Sequence, residues 1–212
     1  RTMLYFRWPV AVYFFMRSSA HRRASLTFLQ SVHADKQGRD ALPTPPGQRQ
    51  VLTHLSEFGT NLVDRMVLWA GGVDQVPIRY DGDEYLRPLV SRGTGAILMG
   101  AHLGSFDMLR GLAKKYNFVV NVLMFTNHAQ RINTFFETLD PGSTLRVLHL
   151  DPGSVRTAFE IRACIDRGEL VAILADRIDP GSRARLHEVP FLGRAALFPI
   201  SPFLLATTLD CP

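Results

Sequence analysis

The sequence predicts an α/β fold, in which a mainly parallel sheet is flanked by helices and preceded by an amino-terminal helical segment associated with a membrane. Two observations predict it: short apolar runs alternate with helical stretches after residue 72, and an apolar, aromatic stretch followed by basic residues opens the chain. Strands that alternate with helices are joined by right-handed crossovers and therefore form a parallel sheet. The 212 residues, 46% of them hydrophobic, are sufficient to bury a substantial core.

The first element, residues 3–16, is apolar and aromatic but contains Arg7 and Pro9. It is shorter than the roughly 20 residues that a membrane-spanning helix needs. A cluster of basic residues follows it, comprising Arg17, His21, Arg22 and Arg23. Such a cluster suits the anionic surface of a bilayer, where each cation contributes about 1 kcal/mol. We therefore expect this segment to lie on or dip into a membrane, and no nucleic acid partner is expected because no binding motif accompanies the charge.

Two helical patterns follow. Residues 26–32 have helical apolar spacing that is lost in the polar run 35–40, and the proline-rich segment 43–47 breaks any helix. Apolar residues then recur at steps of three and four over residues 48–70, which predicts an amphipathic helix. We place a domain boundary at Gly71-Gly72, between a helical membrane-associated region (1–70) and an α/β core (71–212).

The α/β core is predicted to contain four strands, at 96–100, 119–125, 145–150 and 170–175, and three intervening helices, at 105–116, 129–139 and 155–167. Ligands of such sheets bind outside the carboxyl ends of the strands. The chain opens with Arg1 and stops at Pro212, directly after an apparent helix that would feed another strand. We therefore expect a piece of a longer protein that lacks the carboxyl-terminal part of the core.

Candidate catalytic residues follow the first predicted strand. His102 lies at the end of that strand, and Asp107 lies in the first turn of the next helix. Five helical steps would separate the two side chains by about 140°, but His102 precedes the helix, so the turn can fold its imidazole back toward Asp107. A carboxylate on one ring nitrogen leaves the other free as a general base, worth roughly 10² to 10⁴ in rate. Amides near Gly104 are available to an oxyanion. The alternative is a helix cap by Asp107 beside a structural His102, and the spacing alone favours neither.

The pattern from His102 to Asp107 resembles the signature of the lysophospholipid acyltransferase superfamily, and specifically its branch of late lipid A biosynthesis acyltransferases. Three further segments are similar to that branch and occur in its order: the aromatic and basic residues 13–17 with 21–25, the strand 171–177 ending in an Asp, and the Phe-Leu-Gly-Arg segment within 189–196. The resemblance extends from residue 5 to residue 208.

This resemblance implies transfer of a fatty acyl group from an acyl carrier protein or coenzyme A thioester. The acceptor is expected to be a hydroxyl or amine of a membrane lipid or glycolipid at the cytoplasmic face of the cell inner membrane, and no metal or organic cofactor is required. The chain departs from the branch at Ser105-Phe106-Asp107, where Asn-Trp-Glu is usual, and at Asp176-Arg177, where Asp-Gln is usual. These departures leave the acceptor open.

Three arginines and a second acid are candidates for substrate binding. Asp176 and Arg177 end a predicted strand and are expected in the same crevice as His102, where Arg177 offers paired donors to a head group or a carrier phosphate. A surface helix cap is the alternative. Arg194 is a candidate phosphate ligand or a solvated loop residue, and Arg146, at the start of a strand, is a further candidate.

Other site types are not supported. Cys164 and Cys211 lie far apart and match neither a disulfide framework nor a zinc site, and Cys164 is expected to be a small buried residue. The spacings of His128, His149 and Asp151 match no metal-ligand pattern.

Two other functional classes remain open. One is a hydrolase, either metal-dependent through His102 and Asp107 or serine-based through Ser105, although Ser105 lacks the Gly-x-Ser-x-Gly elbow. The other is a non-catalytic membrane-binding module.

Overall fold

The computed structural model describes residues 5, 7–69, 77, 79, 81–104, 108–109, 113, 116–124, 134, 138, 144–149, 154–178 and 185–211. It divides into two compact units. The first comprises Arg1–Met66 with Glu188–Leu197, and the second comprises Val67–His187 with Phe198–Pro212. The boundary predicted at Gly71-Gly72 lies outside the described residues.

Within the described residues, four helices begin in the first unit: α1 (Arg7–Arg17), α2 (Ser19–Ala34), α3 (Gly38–Ala41) and α4 (Gln48–Trp69), whose last three residues belong to the second unit. The predicted helix over 48–70 is confirmed as α4, whereas α2 begins well before the pattern that we recognised at residue 26. Ser18 explains this early start, because its side chain accepts a hydrogen bond from the His21 amide and caps α2. The proline-rich segment 43–47 is non-helical, as predicted, and separates α3 from α4.

Helices α1 and α2 both pack on α4. A Cβ atom on Gly59 would lie 3.0 Å from the Arg7 carbonyl oxygen, so the backbones of α1 and α4 approach closely there. The rings of Phe14 and Phe58 meet edge to face at 6.4 Å between centroids. From α2, the Ser25 hydroxyl is 2.8 Å from His54 Nδ1. One side of α1 is therefore occupied by α4.

Another part of the α1 surface exposes large apolar side chains: Trp8, Val12, Tyr13 and Met16 are 42%, 40%, 60% and 75% exposed. Three of these recur every four residues and so share one helix face. The Arg22 side chain donates to the Phe15 and Met16 carbonyls at the end of α1. None of the helices within the described residues combines the length and apolar character needed to cross a bilayer.

The second unit is built on a four-stranded sheet of β1 (Ala96–Gly100), β2 (Val120–Met124), β3 (Leu145–His149) and β4 (Leu170–Leu174). The strands lie in the order β1-β4-β2-β3, and all neighbouring pairs are parallel. The predicted parallel sheet is thus confirmed, and each strand matches its predicted range to within one residue at either end. The predicted helix over 155–167 is confirmed as α6 (Val155–Asp166). Those predicted over 105–116 and 129–139 lie mostly outside the described residues.

Apolar residues bury both faces of this sheet, as expected for parallel strands. On one face the strands pack against Leu86 and Leu89 of α5 (Asp83–Ser91). On the other face they pack against α6 and α7 (Ser201–Thr208), through Ile161, Cys164, Leu205 and Ala206. The prediction that Cys164 is a buried apolar residue is confirmed. Helix α5 was not predicted, because Pro88 in its interior reads as a helix breaker.

A hairpin of β5 (Leu186–Phe191) and β6 (Arg194–Pro199) was also not predicted. Its turn residues Leu192 and Gly193 have φ angles of 50° and 71°. Hairpin turns with two positive φ angles usually carry Asn-Gly or Asp-Gly, and leucine in the first position gives no such signal. The hairpin therefore could not be predicted from the sequence.

Buried polar groups join the strands near their amino ends. Glu169 precedes β4 and accepts hydrogen bonds from Arg167 and from the buried Asn121 of β2, each at 2.9 Å. Hydrogen bonding from Arg167 lowers the pKa of Glu169 to about 2, against the opposing effect of burial. Arg146 of β3 lies 3.5 Å from the same carboxylate. Three strands and the end of α6 are thereby tied to one ionised side chain.

Close backbone contacts set β1 beside β4 at this same end. A Cβ atom on Gly95, just before β1, would lie 2.5 Å from the Ile165 Cα and 2.8 Å from the Glu169 carbonyl oxygen. Gly168, at φ 75°, also lies close to backbone. A Cβ atom on Gly168 would lie 2.9 Å from the carbonyl carbon of Gly93. No side chain fits at either glycine without moving backbone.

We predict that Gly95→Ala lowers the free energy of unfolding by about 1–3 kcal/mol, because the added methyl group meets backbone atoms that cannot turn away. Gly47→Ala is the matched control, since its Cβ would make an ordinary 3.6 Å contact with the Gln50 side chain. Urea denaturation followed by circular dichroism measures both changes. Equal stability of the two variants would contradict the close packing at Gly95.

Candidate active site

The candidate site lies at the carboxyl ends of the adjacent strands β1 and β4. Gly100 is the register partner of Leu174, and the Ala175 amide donates to the Gly100 carbonyl oxygen at 2.9 Å. Continuing this register by two residues brings His102 beside Asp176. Two residues that are 74 positions apart in the chain therefore become neighbours through strand pairing alone.

Asp176 holds His102 at two points. Its Oδ1 atom is 2.9 Å from His102 Nδ1, and its Oδ2 atom accepts a 2.7 Å hydrogen bond from the His102 backbone amide. The side chains are 47% and 27% exposed, respectively. One carboxylate thus orients both the ring and the backbone of the histidine, while the ring remains accessible to solvent.

The protonation states of this pair follow from its hydrogen bonds. Burial alone would raise the pKa of Asp176, but the hydrogen bonds from the His102 ring and amide outweigh it and lower that pKa below its ordinary value of 3.8. An ionised carboxylate only accepts hydrogen bonds, so Nδ1 of His102 carries the proton. The Nε2 atom is then the basic nitrogen of the neutral ring.

The sign of the pH dependence follows from the lowered pKa. The stabilisation that Asp176 gains from His102 is fully present above the ordinary carboxyl pKa and is lost as pH falls through the lower value in the folded protein. The pair is therefore intact at neutral pH.

Two consecutive backbone amides follow His102 in the accessible loop. Gly104 has a φ of 75°, and a Cβ on it would meet no atom within 4 Å, so the space beside it is open. Leu103 is 91% exposed. Within the part of the chain that the structure describes, neither amide has a hydrogen-bond partner. They are donors available to a bound group, whereas the His102 amide is used by Asp176.

The structure describes only some of the other candidate residues. Asp107, Ser105 and Phe106 lie outside the described residues, so the predicted pairing of His102 with Asp107 stays a prediction. Arg177 directly follows Asp176 and is exposed, and Arg194 is exposed on β6 in the first unit.

Arg146 lies elsewhere on the sheet. The strand register places it level with Ile97, five residues before His102. At a rise of about 3.3 Å per residue this is about 16 Å from the histidine along the strands. Its charge faces Glu169 near the amino ends of the strands, so the structure does not bring Arg146 to His102.

Sequence reasoning missed the direct contact between His102 and Asp176, although it named both residues. A signal was present, because each follows a predicted apolar strand by two residues or fewer. The adjacency of β1 and β4 is not encoded in either strand alone, since any order of four parallel strands satisfies the same pattern.

Metal binding finds no support in the described ranges, where no three His, Cys, Asp or Glu side chains are grouped closely enough to hold an ion. His149 ends β3, and Asp151 and His128 lie outside the described residues.

No model of a known protein family matches the chain, and no curated protein matches it.

We predict that Asp176→Asn shifts the proton of the His102 ring from Nδ1 to Nε2, because an amide nitrogen opposite Nδ1 donates instead of accepting. Long-range ¹H–¹⁵N spectra of the imidazole, assigned with His102→Gln, report the tautomer directly. The exposed imidazole of His187 in β5 is the internal control and should not change. An unaltered His102 tautomer in the variant would contradict the assigned proton position.

Proposed function

We propose that this chain is an acyltransferase that moves a fatty acyl group from a carrier protein or coenzyme A thioester to a hydroxyl or amine of a membrane lipid or glycolipid. The observation that carries the proposal is the two-point hydrogen bonding of His102 by Asp176 at the carboxyl edge of a parallel sheet. The resemblance of the ordered sequence segments to lipid A acyltransferases supports the choice of reaction. Geometry supports a general base, and the resemblance supports acyl transfer as its task.

In the proposed reaction, His102 Nε2 takes the proton of the acceptor hydroxyl or amine as the acceptor attacks the thioester carbonyl carbon. The carbonyl oxygen becomes an oxyanion, to which the amides of Leu103 and Gly104 are available donors. The intermediate then expels the thiolate, which receives the proton from Nε2. Asp176 stabilises the imidazolium that exists between these two transfers.

Two acids are assigned to one histidine in this proposal. Asp107 keeps the catalytic role that the resemblance implies, and Asp176 occupies Nδ1 in the structure. Because a neutral imidazole has a single proton to donate, only one carboxylate accepts it at a time. Asp176 is therefore proposed as the positioning residue, and Asp107 as a second acid whose effect has to be measured separately.

The membrane is the proposed location of the acceptor, at the cytoplasmic face of the inner membrane. Support comes from α1, which exposes Trp8, Tyr13 and Met16, and from the exposed cations Arg17 and Arg23 nearby in the chain. Aromatic and apolar side chains enter the headgroup region while cations attract anionic lipid. Arg177 and Arg194 are the proposed substrate-binding cations. Arg146 is a weaker candidate because it already faces Glu169.

Hydrolysis is the alternative reaction for the same base. The ring of His102 is about half exposed, so water has the access that an acceptor hydroxyl needs. Release of free fatty acid without an acylated lipid would favour this alternative, and binding to vesicles without thioester consumption would favour a non-catalytic module.

We predict that His102→Ala lowers acyl transfer by about 10² to 10⁴-fold, because the general base is lost. The assay incubates the protein with acyl carrier thioesters and membrane lipid extract and identifies products by mass. Asp176→Asn and Asp107→Asn should each lower the rate, and their separate effects rank the two acids. His187→Ala removes an exposed imidazole on β5 and should leave the rate unchanged. Full turnover by a folded His102→Ala protein would refute the proposal.

We predict that the double variant Tyr13→Ser and Met16→Ser weakens binding to vesicles of neutral and anionic phospholipid by at least about tenfold, since each side chain contributes apolar area to the contact. Co-sedimentation measures the bound fraction. Phe159→Ser is the matched control, because Phe159 is 71% exposed but lies on α6, away from the basic cluster in the chain. Equal losses in the two proteins would contradict a role for α1.

A further inference from the structure

The tip of the β5–β6 hairpin is apolar at a position where turns in water are usually polar. Its two turn residues, Leu192 and Gly193, follow Phe191, and both adopt positive φ angles. Asn, Asp and Gly favour such turns because they tolerate this conformation, whereas a leucine adopts it at a cost in backbone energy. A Cβ atom on Gly193 would meet nothing within 4 Å, so the space beside the turn is open. The preferences of the turn therefore do not account for a leucine at its first position.

The apolar character of the tip extends into both strands beside the turn. Pro190, Phe191 and Ala195 are exposed, and Phe191 is exposed to 51%. Arg194 is the single charged residue between positions 190 and 195. A two-stranded ribbon is only marginally stable in water, and an exposed apolar surface on it marks a contact with a partner or a membrane.

The charge of the surrounding unit indicates what the tip contacts. Residues 188–197 belong to the first unit, together with the helices that begin there. The sequence of this unit contains ten Lys and Arg against five Asp and Glu, whereas the rest of the chain contains fourteen of each. The whole positive excess of the chain therefore lies in the unit that carries the apolar tip. An anionic surface attracts such a unit, whereas a second copy of it is repelled.

Resting on the membrane location in the proposed function, we infer that the hairpin tip, residues 190–195, inserts into the headgroup region of an anionic bilayer as a contact additional to α1. Phe191 and Leu192 enter the apolar boundary of the bilayer, and Arg194 stays among the headgroups. The backbone cost of a leucine in this turn is offset when its side chain leaves water at the bilayer. The tip anchors the protein and takes no part in proton transfer.

Leu192→Asn separates a membrane role of the tip from a structural one, because the two roles predict opposite results. Asparagine adopts positive φ angles readily, so the variant should be at least as stable as the parent in urea denaturation followed by circular dichroism. Its affinity for vesicles of equal parts neutral and anionic phospholipid should nevertheless fall by about three- to tenfold, because apolar area is lost from the contact. Co-sedimentation measures this affinity. Unaltered binding by the variant would overturn the inference, whatever its stability.

Phe191→Ser tests the tip without changing a residue at positive φ. This variant should weaken vesicle binding by a similar factor. Phe203→Ser on α7 is the matched control and should bind like the parent, because Phe203 is 55% exposed but lies in the second unit, which has no excess charge. Equal losses of binding in the two variants would also overturn the inference.

Further outcomes distinguish a failure of the inference from a failure of the proposed function. If Tyr13→Ser with Met16→Ser weakens binding while both tip variants bind like the parent, the inference is wrong and α1 remains the proposed contact. If the parent does not bind vesicles, the membrane location fails and the inference fails with it. If the tip variants bind vesicles normally but separate a dimer of the parent in analytical ultracentrifugation, the tip is an interface between two copies and the inference is wrong. His102→Ala should bind vesicles like the parent, so a failure of acyl transfer alone leaves the inference standing.

Discussion

The parallel pairing of β1 with β4 is the constraint on which the site depends. Because the side-chain period of a strand is two residues, a slip of one residue in this register would turn His102 away from the Asp176 carboxylate. The hydrogen bond from Ala175 to Gly100 continues the ladder past the last paired residues and delivers both side chains to the same level. The geometry of the His102–Asp176 pair thus follows from backbone pairing.

The two ends of the sheet differ in packing and exposure. Near the amino ends, Gly95 and Gly168 admit close backbone contact, and Glu169 collects hydrogen bonds from β2 and from the end of α6. At the carboxyl ends, the polar groups of His102 and Arg177 remain exposed. Removing a partner of a buried carboxylate is costly, whereas an exposed group can be exchanged with little effect on stability. The amino ends are therefore suited to fix the register, and the carboxyl ends are free to carry chemistry.

The elements of the fold that could be predicted are those whose apolar residues recur at regular spacing. All four strands of the parallel sheet and the helices α4 and α6 carry apolar runs whose spacing reflects burial, so their ranges could be assigned from sequence. Helix α5 and the β5–β6 hairpin could not, because Pro88 and Leu192 occupy positions where their local preferences oppose the structure adopted. In both cases the surrounding chain overrides the preference of a single residue.

The candidate residues could be named from the sequence, but the pairing of His102 with Asp176 could not. His102 could be named because it lies where a predicted strand ends and a glycine-containing turn leads into a helix, and Asp107 was chosen as its partner because that turn could fold the imidazole back toward it. Asp176 was expected in the same crevice as His102, but not as the residue that contacts it. The order of the strands decides which strand ends are neighbours in space, and the apolar periodicity of the sequence does not contain that order.

An acid on a neighbouring strand has a physical advantage over one in the following turn. Asp176 sits one residue past a backbone hydrogen bond that joins its own strand to that of the histidine, so little conformational freedom remains to be lost when the pair forms. Its second oxygen holds the His102 amide, which fixes the backbone from which the ring projects. The ring is consequently restrained at its attachment point and at Nδ1, and Nε2 has no hydrogen-bond partner among the described residues.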